Sequence, residues 1–151
     1  MINKYPMPIF SEKFGDYYFS KDNGLAETRY VFLEGNNLPA AWEGGDKERE
    51  SFVIAETGFG TGMNFLSAWE LFEKTAYPGQ SLHYIGVELY PLDRKLIAEF
   101  LTPLFGERAE NFLVQYPFPT PGYHRLQLAD NVSLTLIFDD VIAAFDDLKA
   151  Q

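Results

Sequence analysis

The sequence contains no cysteine and only two histidines, His83 and His124. The lack of cysteine excludes disulfides, thiolate metal sites and a cysteine nucleophile. The two histidines are far apart and share no ligand spacing, so no metal site is expected. His83 falls within an apolar strand pattern, which favours a packed or hydrogen-bonded residue over a ligand.

Positive charge and long apolar runs are also scarce. Twelve basic residues face 22 acidic ones, for a net charge of −10. A chain with this balance is not expected to grip a phosphate backbone by itself, because that requires clustered Lys and Arg. There is no signal peptide and no apolar run of membrane length, so we expect a cytoplasmic protein without membrane contact. With 151 residues, 46% of them apolar and 17% aromatic, the chain has the size and composition of one globular domain.

A glycine-rich stretch between an apolar strand and an amphipathic helix organises the chain. Phe52 to Ala55 reads as a buried strand, Gly58, Gly60 and Gly62 follow at every second position, and a helix begins near Gly62. Glycine allows a tight turn and lets a ligand approach backbone N–H groups at the positive end of the helix. The stretch therefore predicts a site for a nucleotide-like ligand.

The spacing of the glycines bears on which ligand this is. A dinucleotide fingerprint is G-x-G-x-x-G, whereas here Met63 takes the place of the third glycine of that fingerprint. Glu56, at the strand end, would repel a pyrophosphate but suits a cationic amino group. S-adenosylmethionine has such a group and no phosphate, although an ordinary glycine-rich turn remains an alternative.

Two later strand ends also carry carboxylates. An apolar strand is predicted from Leu82 to Leu89 and ends on Glu88, a position where an acidic residue can accept hydrogen bonds from ribose hydroxyls. Asp139 and Asp140 follow a further strand and could accept from an adenine amine. A surface carboxylate at the first position and helix capping at the second are the structural alternatives.

Periodicity and turn residues outline the remaining elements. We predict an irregular arm over 1–16 and a helix from about Gly24 to Glu34, capped by Ser20 or Asp22 and stopped by Gly35-Asn36. A polar connector is expected over 37–50. The glycine loop leads into a helix to about Lys74. The other predicted elements are a helix beginning at Pro91, a helix around Glu107–Gln115, a rigid proline-rich loop over 116–122, a hairpin of Tyr123–Leu128 and Val132–Phe138 turning at Asp130-Asn131, and a helix from Val141.

From about Phe14 to its end, the chain resembles the methyltransferase domain of the MnmC family of bacterial tRNA-modification proteins. The resemblance rests on idiosyncratic strings rather than on the glycines alone. They are Tyr18-Phe19-Ser20, Asn23-Gly24-Leu25, Glu27 to Leu33, Glu56 to Leu66, Leu82 to Ile85 with Glu88 and Pro91-Leu92, Tyr116-Pro117, Pro121 to Leu126, and Leu134 to Leu136.

The resemblance implies an α/β, Rossmann-like fold that binds S-adenosylmethionine. The family methylates an aminomethyl group on the wobble uridine of tRNA. Glu56 and the glycine loop, including Phe59, Thr61 and Asn64, would hold the methionine moiety. Glu88 would take the ribose and Asp139 or Asp140 the adenine; Asp140 matches the acidic residue of the family's Gly-Asp pair, although Asp139 replaces its glycine. FAD would enter only with the oxidase domain that many relatives carry, in cis or in trans, outside this chain.

The family continues into a fourth strand with an Asp-Gly-Phe-Ala-Pro-type motif, which this chain does not contain. We therefore expect residues 1–50 to form an extension with one helix and 51–151 to form the first half of the domain, with three strands. By this reasoning the catalytic residue is expected beyond Gln151 and is left unassigned.

Three expectations follow from that missing part of the family pattern. Contacts to tRNA would lie in parts not present here, and the chain alone would be inactive. The open sheet edge would favour self-association. An NAD- or FAD-binding oxidoreductase and a non-catalytic binding remnant are the alternatives to a methyltransferase.

Overall fold

The computed structural model describes residues 10–11, 16–17, 24–43 and 51–149. Its strands are β1 Phe10–Ser11, β2 Asp16–Tyr17, β3 Ser51–Thr57, β4 Ser81–Val87, β5 Gly122–Ala129 and β6 Val132–Phe138. Its helices are α1 Gly24–Glu27, a π-helix Thr28–Glu34, α2 Ala40–Glu43, α3 Met63–Thr75, α4 Arg94–Phe105, α5 Glu107–Gln115 and α6 Val141–Lys149. None of these helices combines the length and apolar character needed to cross a bilayer.

The main sheet has the strand order β3-β4-β6-β5. β3, β4 and β6 are parallel to one another. β5 is a fourth strand, which pairs antiparallel with β6 through the predicted hairpin. Helical segments separate the parallel strands, as parallel pairing requires. The α/β, Rossmann-like class predicted from the sequence is therefore confirmed.

The two faces of the sheet are covered unequally. One face packs against α3, α4 and α5 in the main core, where Leu82, Tyr84 and Leu134 are completely or almost completely buried. Alternate side chains point to the opposite face, where α6 contributes Ala144 to a smaller cluster with Val87 and Ile137. On β3, by contrast, Val53 is 55% exposed and Ala55 is exposed as well. In the described part of the chain, β3 forms one edge of the sheet.

The predicted helix from Gly24 to Glu34 forms, but its second part is a π-helix. Gly35 ends it, with its N–H donating to the carbonyl of Tyr30. A Cβ at Gly35 would lie only 2.2 Å from the carbonyl oxygen of Val31, so the stop depends on glycine. The proposed caps Ser20 and Asp22 lie outside the described residues.

Three short elements near the N-terminus were not predicted. The arm contains the antiparallel pair β1–β2, and the connector contains α2. Four-residue helices and two-residue strands are too short to show a hydrophobic period. α2 places Trp42, which is 1% exposed, in the main core together with Leu33 and Leu38. The described N-terminal helices therefore share a core with the sheet.

The helix expected to begin at Pro91 begins three residues later. The side chain of Asp93 accepts a hydrogen bond from the Lys95 N–H at 2.8 Å and so caps α4, which starts at Arg94. Pro91 therefore lies in the loop after β4. The helix Glu107–Gln115 is confirmed with its predicted bounds as α5, and residues 116–121 form the predicted loop.

Candidate cofactor site at the glycine loop

The glycine loop connects β3 to α3 with a backbone that requires glycine. Gly58, Gly60 and Gly62 have φ angles of 74°, 56° and 85°, in the left-handed region. The N–H groups of Gly58 and Phe59 both donate to the carbonyl of Val87, at 2.8 and 3.0 Å. The loop is thus fastened to the end of β4, as a tight βα turn beside the sheet.

The two larger side chains of the loop point into the protein. Phe59 is 3% exposed and its ring packs against Phe65 and Phe112. Thr61 is completely buried. At these two predicted positions a ligand outside the loop could therefore contact the backbone but not the side chain.

Glu88 joins the end of β4 to this loop. Its Oε2 accepts from the Gly60 N–H at 2.8 Å, and its Oε1 accepts from the Tyr90 N–H at 2.9 Å. The residue is 8% exposed. An ionised carboxylate offers about four acceptor positions, so both oxygens keep capacity for a further donor.

A cleft of about 280 Å³ opens where the parallel strands end. It brings together four of the predicted site residues: Gly58, Glu88, Asp139 and Asp140. Its other lining residues, which sequence reasoning missed, are Thr57, Val87, Leu89, Tyr90 and Val141. All five lie within two residues of a predicted site residue at a strand end. This proximity is the feature of the sequence that could have indicated them.

One of the two aspartates of the cleft, Asp140, also caps α6. Asp140 accepts from the Ile142 N–H at 2.9 Å through Oδ1, and Asp139 accepts from the Asp140 N–H at 2.7 Å. Both residues are exposed. Helix capping, the structural alternative predicted at this position, is therefore present at Asp140. Among the described residues, no donor to the second carboxylate oxygen of either aspartate is found.

Glu56 lies apart from this cleft. Its side chain is on the opposite face of β3 from Thr57, toward α3. There Oε1 accepts from the side-chain amide of Asn64 and Oε2 accepts from the hydroxyl of Tyr84 at 2.8 Å. Glu56 and Asn64, both predicted site residues, thus form a second cluster with Tyr84, which the sequence did not indicate.

The carboxyl of Glu56 is strongly perturbed. Burial raises its pKa from 4.5 to about 7, and the negative charge of Glu88 adds to the rise. The hydrogen bonds from Asn64 and Tyr84 oppose it, because they favour the ionised form. Glu56 is therefore poised to gain or lose a proton near neutral pH.

The catalytic residue stays unassigned in the structure. It was expected beyond Gln151, and Gln151 itself lies outside the described residues. The carboxylates of Glu56, Glu88 and Asp140 already accept hydrogen bonds from the fold, which suits them to binding and orientation. The expectation that the catalytic residue lies beyond Gln151 therefore stays a prediction, and so do the cofactor contacts of the predicted site residues.

No family model matches the chain. Over 143 residues it is 42% identical to the tRNA 5-methylaminomethyl-2-thiouridine biosynthesis bifunctional protein MnmC of Legionella pneumophila, covering 92% of this chain and 22% of that protein. It is 46% identical over 147 residues to the protein of the same name from Chromohalobacter salexigens, covering 94% of this chain and 20% of that protein.

The chain is homologous to the N-terminal part of MnmC proteins. It spans about a fifth of the length of these relatives. Among solved structures, it is similar to MNMC2 from Aquifex aeolicus, with a TM-score of 0.69 and 23% identity, over 93% of this chain and 41% of that one. At this identity the likeness concerns the fold.

The hydrogen-bond acceptors and the charge of the cleft fit a nucleoside better than a pyrophosphate. Three carboxylates line it, and no Lys or Arg is among the described residues that do so. Ribose hydroxyls and an adenine amine can donate hydrogen bonds to these carboxylates. A pyrophosphate would meet negative charge without a compensating cation.

Proposed function

We propose that this chain forms the cofactor-binding half of an S-adenosylmethionine-dependent methyltransferase acting on the wobble uridine of tRNA. The observation that carries the proposal is the acidic cleft at the ends of the parallel strands, closed on one side by the glycine loop. The names of the homologous proteins, which refer to biosynthesis of 5-methylaminomethyl-2-thiouridine in tRNA, support the reaction. The step would convert an aminomethyl to a methylaminomethyl group.

Different described residues would contact different parts of the cofactor. Glu88 would accept from the ribose hydroxyls and Asp140, or its neighbour Asp139, from the adenine amine. Glu56 would offer its carboxylate to the amino group of the methionine moiety, with the backbone of Gly58 and Gly60 beside it. When bound, the cofactor supplies a methyl group on a sulfonium sulfur.

In this proposal these residues bind and orient the cofactor. No described residue is assigned the role of accepting the proton from the acceptor amine. Transfer of a methyl group depends chiefly on positioning a neutral amine against it. An acceptor site of that kind, and contacts to tRNA, would come from parts outside this chain. We therefore expect no methyl transfer to undermodified tRNA from these 151 residues alone. Turnover by the isolated chain would contradict this division of roles.

Calorimetry with S-adenosylmethionine tests the cofactor assignment. Binding to the wild-type chain is expected, and Glu88→Gln should weaken it about tenfold or more, the effect of losing hydrogen bonds to a charged group. Glu99→Gln on the exposed side of α4 is the matched control and should bind as the wild type does. Binding of NADH in place of S-adenosylmethionine would instead support an oxidoreductase.

Further partners follow from the same proposal. A flavin-dependent oxidase that prepares the aminomethyl substrate would act in cis or in trans, outside this chain, and any FAD would be bound there. The β3 edge is a site for self-association, because its backbone is paired on one side in the described sheet and Val53 beside it is exposed. Light scattering should show oligomers that Val53→Lys disperses. A wild-type monomer at high concentration would refute this.

A further inference from the structure

Tyr84 makes a contact that neither packing nor sheet formation requires. It lies on β4 with none of its surface exposed, and its ring packs against Phe65 with the centroids 5.1 Å apart. A phenylalanine would fill the same space. The hydroxyl is the part that differs, and it donates to Oε2 of Glu56 at 2.8 Å.

The register of the sheet explains how the contact forms. Glu56 pairs with Gly86 on β4, and Tyr84 pairs with Ile54. Tyr84 therefore lies two residues before the partner of Glu56, and its long side chain reaches diagonally to the carboxylate. The space beside Gly86 is taken by the ring of Phe59, which would lie 2.3 Å from an added Cβ.

The carboxylate of Glu56 is thereby held from two elements at once. Asn64, in the first turn of α3, binds Oε1, and Tyr84 binds Oε2. The ionisable groups that act on Glu56 from the elements packed around it are Tyr84 on β4 and Glu88 just after it. Burial and the negative charge of Glu88 both disfavour ionisation of Glu56. The hydrogen bonds from Asn64 and Tyr84 favour the ionised form.

We propose that Tyr84 is a positioning residue that orients the Glu56 carboxylate and favours its ionised form for a cationic ligand group. Two of about four acceptor positions are used by Asn64 and Tyr84, which leaves capacity for an ammonium group. The identity of that ligand, the amino group of S-adenosylmethionine, rests on the proposed function. The effect of Tyr84 on Glu56 does not, and it can be measured in the ligand-free protein.

The first experiment follows the Glu56 carboxyl by ¹³C NMR through a pH titration of the ligand-free chain. Tyr84→Phe should raise the proton affinity of Glu56 about tenfold, because it removes a hydrogen bond to the charged form. The matched control is Tyr116→Phe, which removes another buried hydroxyl, one that donates to the Leu92 carbonyl. That variant should leave the titration of Glu56 unchanged.

The second experiment compares two ligands by calorimetry between about pH 6 and pH 9, on either side of the titration of Glu56. S-adenosylmethionine carries the amino group, and methylthioadenosine shares the nucleoside but lacks it. At about pH 7, Tyr84→Phe should weaken S-adenosylmethionine about fivefold relative to the wild type, and this ratio should approach one at higher pH as Glu56 ionises in both forms. Methylthioadenosine should bind the variant and the wild type equally.

A second substitution distinguishes the loss of the hydrogen bond from a folding defect. Incorporating 3-fluorotyrosine at position 84 by codon suppression nearly preserves the shape of the ring and makes the hydroxyl a stronger donor, so the pKa of Glu56 should move down instead of up. Unchanged titration in both forms, or equal changes in Tyr84→Phe and Tyr116→Phe, would overturn the role of Tyr84. If the wild type bound neither ligand, the proposed function would fail while the titration still decided the positioning role.

Discussion

Glu56→Gln should make the protein more stable at alkaline pH while removing the charge that the cofactor site needs. Glutamine has the shape of glutamate and can keep both contacts, with Oε1 accepting from Asn64 and Nε2 donating to the oxygen of Tyr84. What it removes is a charge held in a partly buried place. A buried group retained against stability is typical of sites kept for function.

The magnitude follows from the pKa of Glu56. Because the pKa in the folded state, about 7, lies above the ordinary 4.5, folding favours the protonated form. The stability that this provides is complete below pH 4.5 and is lost as the pH rises through 7. At about 1.4 kcal/mol for each tenfold change in proton affinity, the loss is at most about 3 kcal/mol, and partial exposure reduces it to about 2 kcal/mol.

Urea unfolding at about pH 5 and pH 8 measures this directly. Trp42 and Trp69, the chain's two tryptophans, are 1% and 3% exposed, so their fluorescence reports unfolding. The free energy of unfolding of Glu56→Gln relative to wild type should rise by about 2 kcal/mol between those two pH values. Glu99→Gln should show no such change. A difference independent of pH would refute the reasoning, since it would mean that Glu56 titrates normally in the folded state.

Three further predictions concern the fold itself. Gly86→Ala should cost about 1–3 kcal/mol in urea unfolding, because the new Cβ meets the ring of Phe59; an unchanged midpoint would contradict that packing. Burial lowers the pKa of His83 below 6.5, so the free energy of unfolding of the wild type should decrease as the pH falls below 6.5 and His83 becomes protonated. His83→Gln should lessen this decrease, and equal pH profiles for the two proteins would exclude a contribution from His83. Leu134→Ala, in the buried core, should cost about 2–5 kcal/mol, against less than about 0.5 kcal/mol for Val114→Ala, which is 78% exposed, and similar losses would argue against the observed burial.

The sequence by itself determined the features that local chemistry controls. Gly58, Gly60 and Gly62 were expected to form a tight turn, and all three have positive φ. Glu88, Asp139 and Asp140 were expected at the ends of strands, as contacts for the ribose and adenine of a nucleoside, and they line one cleft. These inferences need only periodicity, turn preference and strand direction.

Only the tertiary structure decided which distant groups touch. Glu56 and Tyr84 are 28 residues apart, as are Gly60 and Glu88, and no local pattern announces either hydrogen bond. Strand register brings the first pair together, and the folding of the loop onto the end of β4 brings the second. The inward turn of Phe59 depends likewise on the space left at Gly86. The proton affinity of Glu56 therefore belongs to the packed fold, because burial and partners from other elements set it, and residue type alone does not.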